Sequence, residues 1–281
     1  ALVTRVAPSP TGFVHIGGLY ASLISERLAH QSQGIFILRI EDTDKKREVV
    51  GAANLFAAAL AKYNIKVDEG PDENGLEKGN YGPYKQSARA AIYQSYIKNL
   101  LNQGLAYPCF ATPEELEELR GQQEARGERF GYYGHFAIWR ERSPEEVSAA
   151  LDKGLKPVIR LKSPGNFHNK IIVNDLLIGR REMPENDQDI VIMKSDGLPT
   201  YHFAHAVDDH LMGTTHVIRG HEWFPSLPLH LQLFQVLGWK APAYAHLAPI
   251  QKLDEGKKRK LSKRQDQEAH CRDEGAGHRP R

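Results

Sequence analysis

The opening residues ALVTRVAPSPTGFVHIGG leave the chain little freedom: an apolar strand, a turn stiffened by two prolines and a glycine-backed helix follow one another without a linker. Leu2, Val3 and Val6 read as a buried strand and Pro8 and Pro10 end it. Ile16, Leu19, Tyr20, Leu23, Ile24 and Leu28 then recur at helical spacing. A strand, a tight turn and a helix start in direct succession are the layout of a nucleotide site. His15, Gly17 and Gly18 fall at the junction. There the first backbone N–H groups and the positive end of the helix dipole face outward, glycine lets a phosphate approach the main chain, and an imidazole can donate to a phosphate oxygen. The same three residues also suit a turn that holds no ligand, and this stretch by itself does not separate the two readings.

Further along, Ile35 to Ile40 reads as a buried strand that delivers Glu41, Asp42, Thr43 and Asp44 to its C-terminal end, where α/β sheets bind ligands. Thr43 or Asp44 can also cap a helix over Val49 to Tyr63. After a loop from Asp68 to Tyr84, Gln86 to Gln103 carries Ile92, Tyr96, Leu100 and Leu101 on one helical face, and Thr112-Pro113-Glu114 opens a charged helix to Arg129. Strand-like pieces at Val158 to Leu161 and Lys170 to Val173 complete an inserted α+β module. The β-branched run Asp189 to Met193 then returns to the first sheet, followed by a turn at Asp196-Gly197. In the segment Tyr201 to His210, three histidines (His202, His205, His210) join Asp208 and Asp209, a set that could coordinate a metal, although without the glutamate spacing of a metalloprotease. Val217 to Trp223 reads as a strand ending in charge, with a helix from Phe224 to Leu237 behind it. The basic run Lys257, Lys258, Arg259, Lys260, Lys263 and Arg264 is either a solvated loop or a grip on phosphates.

Taken together, HIGG and Lys260-Leu261-Ser262-Lys263-Arg264 resemble the two signatures of class I aminoacyl-tRNA synthetases. RVAPSPTGFVHIGG followed by RIEDTD, Arg39 to Asp44, resembles the glutamyl-tRNA synthetase branch in particular, and the likeness spans residues 2 to 264. Gly18 stands where the class pattern ends in His, and Leu261 where it often has Met. The resemblance implies a Rossmann-type doubly wound parallel sheet interrupted by an α+β acceptor-binding insertion. It places the first half of the catalytic domain at residues 1–81, the insertion at 82–185, the second half at 186–245 and the basic loop region at 246–264.

The implied reaction joins L-glutamate to ATP, supplied with Mg²⁺, as glutamyl-adenylate, and then transfers it to the 3′ end of tRNA(Glu). In this likeness His15, Lys260 and Lys263 are catalytic, and Gly17, Gly18, Glu222 and Ser262 join them around ATP. Arg5, Ala7, Ser9, Glu41, Tyr201, His205 and Arg219 hold glutamate, and Thr43 and Asp44 meet the acceptor end of tRNA. Glu41 takes the amino group and Arg219, helped by Arg5, the side-chain carboxylate. A planar guanidinium binds a carboxylate through two parallel hydrogen bonds, and glutamine would lose that pair at a penalty on the order of 2 kcal/mol or more. His205 stands where relatives often have Asn, and its charge would follow pH. Two rivals are a glutamyl-queuosine tRNA(Asp) synthetase, which the short chain favours and the intact basic loop and full insertion oppose, and an inactive nucleotide- or RNA-binding fragment, which would need a dead ATP site.

A net charge of +2 confines any tRNA surface to a local patch. No apolar run approaches a membrane span, and two cysteines far apart, Cys109 and Cys271, fit a reducing, cytoplasmic setting. A monomer is expected. Relatives often carry a zinc site that begins with a Cys-x-Cys pair, and here only Cys109 is present, so no zinc or other protein-bound metal is expected and Cys109 reads as a small buried residue. Residues 265–281 hold nothing apolar larger than alanine except Cys271, which predicts a disordered tail where relatives continue into a helical anticodon-binding region.

Overall fold

Successive residues of a strand face opposite sides of its sheet, and in β1 (Val3–Val6) this ties the chain to two distant helices at once. The Thr4 hydroxyl donates to the carbonyl of Ser25 on α1 (Ile16–Gln31) at 2.7 Å, whereas Arg5 points the other way and binds Asp209, two hundred positions along. The computed structural model describes residues 1–12, 14–254 and 257–261. After α1 come β2 (Ile35–Leu38), α2 (Ala52–Lys62), the short pair β3 (Gly70–Pro71) and β4 (Glu77–Lys78), and α3 (Ala90–Asn102). Next are β5 (Ala106–Cys109), α4 (Pro113–Ala125), α5 (Pro144–Asp152), β6 (Val158–Leu161), β7 (Lys170–Asp175), β8 (Gly179–Pro184) and β9 (Val191–Met193). The described chain closes with α6 (Tyr201–Leu211), β10 (His216–Gly220), α7 (Leu227–Val236), β11 (Ala243–Leu247), β12 (Gln251–Asp254) and β13 (Lys257–Lys260).

The central sheet runs in the order β2-β1-β10-β11-β7-β8, with every neighbouring pair parallel except the antiparallel edge strand β8. On one face Ile218, Ala245 and Leu247 pack on Ala21 and Leu28 of α1; on the other Val217 and Tyr244 pack on Leu227 and Leu231 of α7. Parallel strands need cover on both sides, and this sheet has it. The chain leaves β1 toward β2 and returns on the opposite side of β1 as β10. The order therefore reverses between β1 and β10, which opens a crevice beyond their C-terminal ends.

Two strands sit elsewhere than the sequence suggests. β9, expected to restart the nucleotide sheet, pairs antiparallel with β6 in a separate sheet of order β5-β6-β9, where Ile192 is fully buried with Ile159 and Leu161. β7, expected in the insertion, joins the central sheet beside β11 and carries β8 with it. Periodicity marks a strand but not its neighbour, and here long-range packing of Val173 against Val217 and Tyr244 decides. Helix ends shift as well. α2 begins at Ala52 behind Gly51, whose φ of 82° is open to glycine, and not at a Thr43 or Asp44 cap. The helix after β10 starts as a 3₁₀ turn, His221–Ser226. α4 starts at Pro113 as expected and adds a capping box: Thr112 accepts from the Glu115 N–H, and Glu115 accepts from the Thr112 N–H.

Among the described residues no helix is long and apolar enough to cross a membrane. Lys260 is described as the last strand position of β13, paired with Gln251. Ser262, Lys263 and the segment 265–281 lie outside the described residues.

Candidate active site

At the crevice between β1 and β10 lies a cleft of 1640 Å³. Arg5, Ala7, Ser9, His15, Gly17, Gly18, Glu41, Thr43, Asp44, Tyr201, Arg219 and Glu222 all line it. Positions more than two hundred residues apart meet there because most lie at or beyond the C-terminal ends of parallel strands or open a helix. Trp223 and Lys194 also face the cleft, unforeseen from sequence.

His15 caps α1. Its backbone is extended, with φ −100° and ψ 139°, and its Nδ1 accepts the Gly17 N–H at 3.0 Å. That bond makes Nε2 the protonated nitrogen of the neutral ring, and hence its donor. A Cβ on Gly17 would lie 3.0 Å from Nδ1, so a larger residue there would have to push the imidazole aside by a few tenths of an ångström. One of the helix N–H groups expected to meet a ligand is therefore already satisfied by the imidazole. Gly18 packs near Phe56 of α2, whose ring a Cβ there would meet at 3.4 Å, close to ordinary contact.

Beneath the cleft floor a charged lattice fixes Arg5. Its Nε and Nη2 donate to the two carboxylate oxygens of Asp209 at 3.1 and 3.2 Å, and Nη2 also donates to His205 Nδ1 at 2.9 Å. Arg39 shares the same carboxylate, Nη1 to Oδ1 at 2.7 Å, and its Nη2 reaches Glu41 at 3.4 Å. The neighbouring Asp208 accepts from Arg89, Gln86 and Tyr93 at 2.7, 3.0 and 2.7 Å. Burial opposes the charge of Arg5, yet Asp209 more than offsets it and holds the guanidinium above its ordinary value. For Glu41 burial wins over the arginines, and its carboxyl is pushed up to about 7.

His205, assigned to glutamate by resemblance, is fully buried behind Arg5 and is absent from the cleft wall. Burial and the cations Arg5, Arg219 and Arg39 keep its pKa well below the usual value, so it stays neutral and its charge does not follow physiological pH. Its Nδ1 takes a hydrogen from Arg5 and its Nε2 meets the Tyr244 hydroxyl at 3.1 Å. The three histidines weighed as a metal set diverge: His202 bonds His230 at 2.8 Å, His205 bonds Arg5, and His210 stacks on Trp239 at 3.9 Å. His202 and His205 share a helix face and both lie against the His230 ring, at 5.1 and 4.5 Å, whereas His210 sits more than a turn further along beside Trp239.

Arg219, the penultimate residue of β10, is 5% exposed. Nε donates to His246 Nε2 and Nη1 to His230 Nδ1, each at 2.9 Å, and Nη2 donates to the Trp223 carbonyl at 3.3 Å. Tyr244 lies 4.9 Å from the guanidinium carbon. Among the described residues no carboxylate forms an ion pair with it, and burial pulls its pKa down despite the nearby phenols of Tyr201 and Tyr244. This is a desolvated cation at a cleft wall, held by neutral acceptors. An anion is what such a group lacks.

Asp42 is structural: it accepts the Ser87 N–H at 2.8 Å and the Ser87 hydroxyl at 2.5 Å. Asp44 pairs with Arg47 at 2.6 Å on the surface, and the Thr43 carbonyl accepts from Lys194 at 2.8 Å. Cys109 is buried, near the Tyr132 hydroxyl and Arg160 Nε, both 3.4 Å from its sulfur.

The sequence model of the family described as tRNA synthetases class I (E and Q), catalytic domain, matches residues 1–276. A glutamate–tRNA ligase of Clostridium perfringens (strain 13 / Type A) is 58% identical over 269 residues, which cover 96% of this chain and 49% of that protein. The ligase of the same name from Sorangium cellulosum (strain So ce56) is 47% identical over 296 residues, covering 96% and 52%. Among solved structures, a glutamate tRNA ligase from Elizabethkingia meningosepticum in complex with its amino acid superposes with a TM-score of 0.85 at 43% identity, over 94% of this chain and 52% of its own. The chain spans about half the length of the curated relatives it matches.

Proposed function

Because the chain belongs to the family of class I tRNA synthetase catalytic domains for glutamate and glutamine, we propose that it activates L-glutamate with ATP and passes the glutamyl group to the 3′ end of tRNA(Glu). The observation that carries this reading is Arg219, a buried guanidinium on the cleft wall with no protein carboxylate paired to it among the described residues. In this reading a substrate side-chain carboxylate supplies the missing anion. Glu41, on the same cleft, takes the substrate ammonium, and Tyr201, Ala7 and Ser9 complete the seat beside Arg5.

The reaction needs no covalent enzyme intermediate. The α-carboxylate of glutamate attacks the α-phosphorus of ATP in line and pyrophosphate leaves; a terminal ribose hydroxyl of tRNA then attacks the acyl carbon and AMP leaves. The protein acts by positioning and by stabilising charge on the departing phosphates. ATP enters as its Mg²⁺ complex. His15, protonated on Nε2 because Nδ1 is engaged with Gly17, donates to a phosphate oxygen at the start of α1, where Gly17 and Gly18 keep the approach open and Glu222 borders the nucleotide. Lys260, Ser262 and Lys263 join from the basic loop, on sequence grounds. Thr43 and Asp44 border the path of the tRNA end, and the β5-β6-β9 sheet with α4 and α5 forms the core of the insertion that grips the acceptor stem.

The direct test is ATP–pyrophosphate exchange, run with glutamate, glutamine and aspartate, with and without tRNA(Glu). Exchange specific to glutamate is expected. Exchange with glutamine at equal or greater efficiency, or none with any of the three, would overturn the assignment.

Glu41 provides a second test. A carboxyl with a pKa of about 7 is ionised only above that pH, whereas an amino-acid ammonium stays protonated well beyond it. The KM for glutamate should therefore rise as pH falls through about 7, approaching tenfold per pH unit on the acid limb. Glu41→Gln should bind weakly and show no such limb. A KM independent of pH between 5.5 and 8 would remove Glu41 from the ammonium site.

A further inference from the structure

Arg219 is not placed by its own strand alone. Arg219 on β10 and His246 on β11 are register partners, and Asp175 ends the next strand, β7, opposite Tyr244 of β11. Across these three neighbouring strands runs one line of hydrogen bonds at the C-terminal edge of the sheet. Asp175 Oδ2 lies 2.6 Å from His246 Nδ1, and His246 Nε2 accepts from Arg219 Nε at 2.9 Å. The tautomer follows from the network. Arginine has only donors, so Nε2 must present its lone pair, and the proton sits on Nδ1 facing the carboxylate. Both side chains of the dyad are fully buried.

The geometry points to Asp175 as the positioning residue for selection of an acidic substrate: by holding the proton on His246 Nδ1, it keeps Nε2 an acceptor and so aims Arg219 at the cleft. Two features separate this arrangement from ordinary packing. First, Asp175 compensates the guanidinium only through a neutral ring, and the cation keeps its charge for a ligand. A carboxylate in direct contact would compete with the substrate for the same N–H groups. Second, the other side-chain hydrogen bond on Arg219 also goes to a neutral imidazole whose state is set from behind: His230 accepts on Nδ1, and its Nε2 hydrogen goes to His202 Nδ1 at 2.8 Å. Burial keeps His230 well below its usual pKa and His202 near 4, so neither adds a competing charge.

The remaining oxygen of Asp175 makes the test sharp. Oδ1 accepts the N–H groups of Leu177 and Ile178 at 3.0 and 2.9 Å, closing the β7–β8 turn. In Asp175→Asn the amide oxygen stays with these N–H groups and the NH₂ faces His246. Nδ1 must then accept, the proton moves to Nε2, and two donors oppose each other where Arg219 was held. The inference rests on the proposed glutamate activity, and the experiment separates the two.

We would measure KM for glutamate and for ATP in pyrophosphate exchange, the thermal midpoint, and the His246 tautomer by ¹⁵N NMR of the imidazole. For Asp175→Asn the expected result is a proton moved from Nδ1 to Nε2, a KM for glutamate raised about 10- to 100-fold and an unchanged KM for ATP. In a His246→Gln background, where an amide oxygen can accept from Arg219 whatever stands at 175, the same substitution should add little. A wild-type protein inactive with glutamate would overturn the functional reading. An active wild type with Asp175→Asn showing the same KM, an unmoved proton, or equal loss in the His246→Gln background would overturn the positioning role.

Discussion

Arg219→Gln is expected to lower kcat/KM for glutamate by about 30- to 1000-fold, corresponding to about 2–4 kcal/mol of lost charge-assisted pairing in a desolvated site. The loss should fall chiefly on KM, because the contact is made to a part of the substrate that does not react. Glutamine should lose much less, since its neutral amide never had the ion pair that a carboxylate forms with the guanidinium, and the preference between the two substrates should narrow or reverse. The structure supplies the reason for the size of the effect: at 5% exposure, little water is available to replace the lost partner. The fold should survive. His246 and His230 would each lose a donor, but the glutamine NH₂ can serve one of them, and both rings are neutral. Steady-state exchange with both amino acids is the measurement. Undiminished selectivity for glutamate would move recognition away from Arg219, with Arg5 as the next position to test.

Asp209→Ala is expected to be the most damaging substitution for stability, at about 3–5 kcal/mol. One carboxylate there serves two buried guanidiniums, Arg5 at the cleft wall and Arg39, which is fully enclosed. Removing it leaves like charges facing each other across the space. Asp209→Asn should cost less, since an acceptor oxygen remains. The same group sets part of the acid limb of stability. Burial raises its pKa, but Arg5 and Arg39 outweigh burial and depress it below the usual carboxylate value. Its contribution is therefore complete above the unfolded pKa of roughly 4 and is lost as pH falls through the folded value. Urea unfolding of the wild type and both variants at pH 7 and pH 3 would check this. Equal midpoints for wild type and Asp209→Ala at pH 7 would show that the lattice does not hold the fold.

The cleft residues that the sequence brought forward share one property: their place follows from the chain next to them. His15, Gly17 and Gly18 sit where a strand turns into a helix, and the structure places them at the start of α1 on the cleft wall. Glu41 follows, and Arg219 lies at the end of, a strand whose apolar run is visible, and the C-terminal ends of parallel strands face the crevice. Asp208 and Asp209 were legible only as acids beside histidines, and that pattern suggested a metal. Their partners, Arg5, Arg39 and Arg89, come from far along the chain, and no local spacing announces them.

The order of apolar runs, prolines and glycines thus determined an α/β chain with a strand-to-helix junction at its start, which borders the cleft, because strand, turn and helix preferences act over a few neighbouring residues. Which strands lie side by side was decided only by tertiary packing: β7 left the expected insertion for the central sheet, and β9 went the other way. That choice put Asp175 one strand from His246 and two from Arg219. It also decided charge. Arg5 and Arg219 are the same residue type on neighbouring strands, but one faces Asp209 and the other faces neutral imidazoles, so only the second presents an uncompensated cation to the cleft. A side chain's charge environment is the sum of what the fold brings within a few ångströms, and sequence separation carries no information about that sum.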